Sequence, residues 1–420
     1  FCCHLHVLNL VLRKRLRRVV STCEVRCWAE CQERVRMVNV LFAGGGTTGH
    51  VAPMLAIVRD FTFQDPNGNV TILGTEEGLE SRLVPQAGYE LNTIEKVPFP
   101  RSINASLVKF PGRLAGAVSR TRNLIKQNSV DVVVGVGGYV STPAYLAAKS
   151  LGVPIVVHEG NAVPGLANKL GARFTKHVGY TFASTPMKGK HVGMPMRREI
   201  AQINRKDPLT RYEAMQKLGL DASLATVIVT GGSSGAQAIN DAFCDAVDEI
   251  RRTGVQVLHI TGIGKADKIR EATADLRNYH VTEYVDGMET VYSAADLLIC
   301  RAGAGTVAEV TVAQVPALYV PLAIGNGEQV KNASDPVTAG GALMVDNAAF
   351  SATTIKNTVI PLAKDPHRLK NMTKRLNELK FPATADRDVT RMIFEAANVP
   401  YPDRAYPYEL MTRDEREDQT

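Results

Sequence analysis

Val38-Asn39-Val40-Leu41-Phe42-Ala43-Gly44-Gly45-Gly46-Thr47-Thr48-Gly49-His50 is the stretch on which the fold turns. A short apolar run enters a glycine loop, and residues 51–61 read as a helix with Pro53 tolerated in its first turn. Strand, glycine turn and helix in that order open a βα unit. The loop fits two phosphate-binding frames and completes neither. Gly44-x-Gly46-x-x-Gly49 is the dinucleotide spacing; Gly44-x-x-x-x-Gly49 frames a P-loop, but His50 stands where that motif has lysine. Either frame turns backbone N–H groups and a helix start toward an anion, with the Thr47 and Thr48 hydroxyls beside them. His50 then lies in the first helical turn. The positive helix end lowers a histidine pKa and favours the neutral imidazole a general base needs.

The same pattern recurs outward from this point. Apolar runs at 70–73, 130–135 and 154–158 read as strands, the second ending in Gly137-Gly138-Tyr139. A second series follows at 225–230, 255–260, 297–300 and 317–321. Two of its strands run into Gly231-Gly232-Ser233-Ser234-Gly235 and Arg301-Ala302-Gly303-Ala304-Gly305. The chain of 420 residues is therefore expected to form two Rossmann-like, doubly wound α/β halves joined near residues 197–208. Ligands in such sheets bind at the carboxyl ends of the strands, where these turns lie.

Composition places few limits on the function but does locate the charge. Residues 1–36 hold eight basic and three acidic side chains, which account for five of the seven net positive charges. The remainder is near neutral, which argues against nucleic acid as a partner. Five of seven cysteines lie in the same segment, among them Cys23, Cys27 and Cys31 at helical spacing, and no histidine follows closely to complete a metal set. Cys244 and Cys300 read as reduced thiols. No apolar run approaches the roughly 20 residues that span a bilayer. Residues 1–36 are expected to be an extraneous or disordered basic leader, with the fold beginning near Met37; the charged tail, 403–420, is expected to be disordered.

Several polar groups are expected at strand ends. His158-Glu159-Gly160-Asn161 follows one buried strand, and Gly325-Asn326-Gly327-Glu328-Gln329 another. Glu309, one turn into the helix opened by Gly303, can accept from both hydroxyls of a ribose. Three glycine–helix turns in two halves favour a nucleotide or diphosphate ligand.

The ordered series GGGTTGH, GVGGYVSTPAYLAA, HEGNAVPGLANK, GMPMR, VTGGSSGAQAIN, DGMETVYSAADLLICRAGAGTVAEV and VPLAIGNGEQVKNA resembles the MurG family over residues 37–400. These are the bacterial N-acetylglucosaminyltransferases that convert lipid I to lipid II in peptidoglycan synthesis. The resemblance implies a GT-B fold and an inverting transfer with no cofactor and no active-site metal. It implies an acceptor and membrane-side domain at 37–196, completed by a C-terminal helix at 383–398, and a UDP-GlcNAc domain at 197–382. It implies His50 as the base, with Thr47, Thr48, Gly49 and Asn161 on the acceptor side. Arg197, Ser233, Val285, Ala304, Gly305, Thr306, Val307, Ala308, Glu309 and Gln329 fall to the donor, and Tyr139, Glu159, Ser234 and Glu328 to supporting positions. It further implies peripheral attachment to anionic lipid at the cytoplasmic face of the cell membrane, and contacts with cell-division and wall-synthesis proteins. A basic, partly apolar stretch at 101–126, with Leu107, Val108, Phe110 and Leu114, suits such a surface.

The chain departs from the family at Thr48, where a glycine is usual, and at Gly160, where a glutamine is common. A β-branched residue resists positive φ, so the turn at Thr48 is expected to differ locally. Two other readings stay open on the residues alone. The Gly44–Gly49 spacing suits an NAD-dependent oxidoreductase, although the acidic residues after the next strand, Glu76 and Glu77, fall some 30 positions on rather than about 20. The departures suit a catalytically impaired paralogue that only binds.

Overall fold

The computed structural model describes residues 36–98, 105–232, 235–322 and 327–406. The leader with its cysteine trio, Ser233, Ser234, Gly325, Asn326, most of the tail, and the side chains of Thr48, Leu107 and Val108 lie outside the described residues.

Two all-parallel sheets carry the chain. The first is built of β1 (Val40–Gly44), β2 (Val70–Gly74), β3 (Leu91–Thr93), β4 (Val132–Gly137), β5 (Ile155–Glu159), β6 (Val178–Tyr180) and β7 (Lys190–His191), in the order β3-β2-β1-β4-β5-β6-β7. The second is built of β8 (Thr226–Thr230), β9 (Gln256–Ile260), β10 (Tyr279–Thr282), β11 (Leu297–Cys300), β12 (Ala317–Tyr319) and β13 (Ala342–Met344), in the order β10-β9-β8-β11-β12-β13. Each is the doubly wound Rossmann order. The strand sequence reverses between β1 and β4, and between β8 and β11, and a crevice opens at each switch point. Both central strands are apolar on both faces because helices cover both: Val40, Leu41, Phe42, Val132, Val133 and Val134 are fully buried.

β1 starts two residues later than its apolar run. Val38 and Asn39 give their N–H groups to the side chains of Asp65 and Asp131 rather than to a neighbouring strand. The helix after the glycine loop spans Thr48–Gln64 and starts earlier than residue 51. Pro53 therefore sits in its second turn and brings no N–H to the carbonyl of Gly49, four residues before it. Thr48 is the first helical residue, and the positive φ of the turn falls on Gly46 (94°).

The halves are tied together twice. Ala162, Phe182, Met194 and Met196 pack into the same cluster as Ile228, Leu258 and Tyr292 of the second half. The helix Ala385–Ala397 crosses back onto the first sheet, where Val389, Ile393 and Phe394 are buried with Phe42, Ile57 and Phe61. Each such side chain contributes about 1.5–3 kcal/mol by leaving water. At this seam Arg198 donates to the buried Asp60 at 3.0 Å, stands 3.6 Å from Asp386 and stacks on the Tyr406 ring, whose hydroxyl also donates to Asp60.

The helix Ala105–Gln127 lies over the first sheet. Phe110 and Leu114 pack partly against the core around Ile94, Val97 and Ala117, and Arg113 donates to Glu95 and to the Lys96 carbonyl. All three stay partly exposed, and Lys109, Arg120 and Lys126 are exposed. Among the described residues, no helix is long and apolar enough to cross a membrane.

Candidate active site

The crevices at the two switch points meet in one cleft of about 420 Å³. Gly49, Pro53 and Met194 to Met196 line it from the first half, Arg197 from the junction, and Thr230, Gly232, Val285, Tyr292, Ala304, Gly305, Thr306 and Glu309 from the second half.

The helix Ala304–Val312 follows β11 through Gly303, its N-cap, in extended geometry. Its first intrahelical bond runs from the Val307 N–H to the Gly303 carbonyl, so the N–H groups of Ala304, Gly305 and Thr306 have no intrahelical partner. There is no acidic side chain in this first turn, and a Cβ added at Gly305 would meet nothing. The helix end is an open, positive anion site. The side chains of Val307 and Ala308 are fully buried in the core of the second half. One turn on, the Tyr292 hydroxyl donates to Glu309 Oε2 at 2.7 Å. Burial raises the Glu309 pKa, opposed by that bond and by the charge of Arg197. Arg197 Nη2 stands 3.1 Å from Glu289 Oε2, an ion pair not aligned as a hydrogen bond. Gln329 is turned inward: its Oε1 accepts from Leu322 N and Ala302 N, leaving the amide NH2 to donate.

The first half is arranged differently. His50 Nδ1 lies 3.2 Å from the Gly45 carbonyl, which can only accept, so Nδ1 carries the proton and Nε2 is the basic nitrogen. Thr47 Oγ1 is 3.3 Å from the same Nδ1. Burial pushes the His50 pKa below its ordinary 6.5, partly opposed by the Gly45 bond and the Glu80 charge. Gly137 and Gly138, at φ 102° and 85°, close over the loop. A Cβ at Gly137 would come within 3.0 Å of the imidazole, and one at Gly138 within 2.4 Å of the Gly45 carbonyl. Tyr139 follows, half exposed, with the Lys96 ammonium 5.6 Å from its ring centroid.

Beneath the loop sits a residue that sequence reasoning missed. Glu80 is wholly buried and accepts from Gly46 N at 2.7 Å and from the N–H and hydroxyl of Thr75. Burial raises its pKa, but these bonds outweigh that and hold it below the ordinary value. A Cβ at Gly45 would strike its carboxylate at 2.3 Å. The glycines at 44–46 are thus partly a socket for a fixed anion. Of the loop's donors, the N–H groups of Thr48 and Gly49 remain for a ligand. The GLE triplet at 78–80 carried no signal, because a glutamate opening a short helix looks like an ordinary capping residue.

Glu159 is also an organiser. It accepts from the N–H groups of Asn161 and Gly165 and from Asn168 Nδ2, fixing the loop after β5. Neighbouring His158 is buried, its Nε2 bonded to the Gly193 carbonyl and its pKa lowered to about 4 by burial, so it is neutral and structural. Glu328 stands partly exposed in the first turn of the helix Glu328–Asn332. Among the described residues no group of three or more His, Cys, Asp or Glu side chains could hold a metal ion.

Two Rossmann halves facing one cleft, with a bare helix end on one wall and a histidine-bearing loop on the other, define the class of GT-B glycosyltransferases. The N-terminal domain of glycosyltransferase family 28 matches residues 40–180, and its C-terminal domain matches 226–387. The chain belongs to glycosyltransferase family 28 and, within it, to the MurG family. It is 50% identical over 365 residues, 86% of this chain and 97% of the relative, to a Paenarthrobacter aurescens protein. That protein is the UDP-N-acetylglucosamine--N-acetylmuramyl-(pentapeptide) pyrophosphoryl-undecaprenol N-acetylglucosamine transferase. The Streptomyces coelicolor protein of the same name is 44% identical over 360 residues, 86% of this chain and 98% of its own. The crystal structure of Acinetobacter baumannii MurG aligns with a TM-score of 0.71 at 29% identity, covering 85% of this chain and 99% of that one. A UDP-GlcNAc 2-epimerase from Neisseria meningitidis, 11% identical with a TM-score of 0.57 over 85% of this chain and 100% of that one, shares the fold.

Proposed function

We propose that the chain transfers GlcNAc, with inversion, from UDP-GlcNAc to the C4 hydroxyl of the N-acetylmuramyl unit of lipid I, giving lipid II. The observation that carries this is a cleft shared by the two halves, lined by the bare end of the Ala304 helix and by Gly49, next to His50. UDP lies on the second half. Val285 presents backbone to uracil, Glu309 accepts from the ribose hydroxyls, and Ala304, Gly305 and Thr306 hold the diphosphate with Arg197. Gln329 donates its amide to the GlcNAc hydroxyls.

The acceptor enters past Tyr139 and Asn161, with its diphosphate near the N–H groups of Thr48 and Gly49. His50 Nε2 removes the proton as the C4 oxygen attacks the anomeric carbon from the face opposite UDP. The bond from that carbon to the UDP oxygen breaks, and the electron pair leaves with UDP. The imidazolium formed keeps its Nδ1–H bond to Gly45 and is favoured by the charge of Glu80. The leaving diphosphate is met by the positive helix end and Arg197. The exposed cations on the helix Ala105–Gln127 suit docking on an anionic leaflet at the cytoplasmic face of the cell membrane.

The test is transfer of labelled GlcNAc from UDP-GlcNAc to a lipid I analogue, with and without chelator, by the native chain and by His50→Ala. Chelator-resistant transfer that collapses in the variant is expected. Donor binding with no transfer by the native chain would replace this reading with that of a binding paralogue, and protection against thermal unfolding by NADH rather than UDP-GlcNAc would replace it with an oxidoreductase.

A further inference from the structure

The two half-sites are joined by one buried side chain. Asn332 ends the short helix Glu328–Asn332, which also carries Gln329, and is 1% exposed. Its Oδ1 accepts from the Ala162 N–H of the first half at 2.9 Å. An N–H can only donate, so the amide orientation is fixed, and Nδ2 points the other way. Nδ2 stands 3.3 Å from Asn161 Oδ1, in the first half, and 3.4 Å from the Ala302 carbonyl, in the turn that opens the anion-binding helix. The same turn gives its Ala302 N–H to Gln329. On its own side, the Asn161 segment is held by Glu159 through its N–H and by Thr185 through its carbonyl.

We infer that Asn332 is a positioning residue, a latch that sets the acceptor loop at Asn161–Ala162 in register with the donor-side turn at Ala302. The inference rests on the proposed transferase reading for its kinetic consequence, though not for its geometry. Three features single this residue out. It is buried, so its bonds do not compete with water. It reaches backbone on both halves, so it senses their relative position rather than the identity of a side chain. It lies within one helical turn of Gln329, so displacement of the donor-sugar helix moves the latch. Removing it leaves the buried Ala162 N–H unpaired and severs the acceptor loop from the turn that holds the leaving diphosphate.

Asn332→Asp tests this with little change of volume: one oxygen still accepts from Ala162, while the other faces two acceptors in place of a donor. Asn332→Ala, Asn161→Ala and the corresponding double variant complete a cycle. The Kd for UDP-GlcNAc without acceptor is expected to stay within about two-fold of the native value, and kcat/KM for the acceptor at saturating donor to fall about ten-fold or more, for the loss of a buried hydrogen bond. Asn161 also stands on the acceptor's path, so the double variant is expected to be worse than either single variant but by less than the product of their separate effects. Small-angle scattering of the ligand-free Asn332→Asp chain is expected to show a larger radius of gyration. Donor affinity falling in step with acceptor kcat/KM, additive effects in the cycle, or unchanged scattering would each overturn the latch. A native chain that binds UDP-GlcNAc and transfers nothing would sink the functional reading instead, and the scattering comparison would still decide the latch.

Discussion

The halves repeat one topology and use its switch point in opposite ways. After β11 the helix end is bare: three N–H groups, no acidic side chain in the turn and open space at Gly305. After β1 the loop already holds an anion of its own, the carboxylate of Glu80 on the Gly46 N–H, and its polar side chain is an imidazole with Nε2 as the basic nitrogen. Glycine spacing alone therefore does not say whether a turn binds phosphate. What decides is whether the protein has left the N–H groups vacant. The second half is built to attract negative charge; the first is built to hold a base beside a fixed one.

That division of labour can be broken from either side. The largest effect is expected from His50→Ala, which should lower kcat about 10²–10⁴-fold while leaving the UDP-GlcNAc Kd unchanged by calorimetry. A loss of donor affinity instead would mean the halves share one task. Glu309→Ala should do the reverse, raising the donor KM about 10–100-fold through loss of a charged hydrogen-bond acceptor, with a smaller change in kcat. Glu80→Gln should cost about 3–10-fold in kcat/KM and shift the pH profile. Its negative charge raises the His50 pKa, so the amide variant should move the acid limb to lower pH. An unmoved limb would show that the charge does not reach the base.

The smallest effect belongs to the seam. Burial, reinforced by the charge of Asp60, raises the Asp386 pKa from 3.8 to about 6. Between those values the folded state binds a proton that the unfolded state has lost, so this carboxylate weakens the fold above pH 6 and ceases to do so as pH falls toward 4. Asp386→Asn should stabilise the chain at pH 8 by about 1 kcal/mol in denaturant unfolding, after allowance for the lost attraction to Arg198, with the gain fading below pH 6. A gain that persists at pH 4 would place its cause elsewhere.

The long apolar strands that form the centres of both sheets were legible as continuous β-branched runs, because burial on both faces leaves no room for polar residues. The short strands toward the sheet margins, β3, β6, β7, β10 and β13, were not, since two to four residues outside a continuous apolar run carry too little pattern. Arg197, Val285, Thr306 and Glu309 were readable from motif order and do line the cleft. Glu80, Glu289 and Asn332 were not. Each acts on a partner distant in sequence, and a glutamate or asparagine on a short helix gives no sign of what it will meet. Val307 and Ala308 share a motif with cleft-lining neighbours, and the helix turns their side chains into the core.

The crossing of the helix Ala385–Ala397 back to the first sheet also has a consequence for synthesis on the ribosome. Phe42, Ile57 and Phe61 leave the exit tunnel before the second half is made, yet the residues that cover them, Val389, Ile393 and Phe394, emerge only after it. At about 5–20 residues per second, the first half waits some ~15–70 s for its lid while the second half is translated and folds. The half that emerges first is the half that finishes last, and in that interval its uncovered aromatic face is the part of the nascent chain most in need of a chaperone.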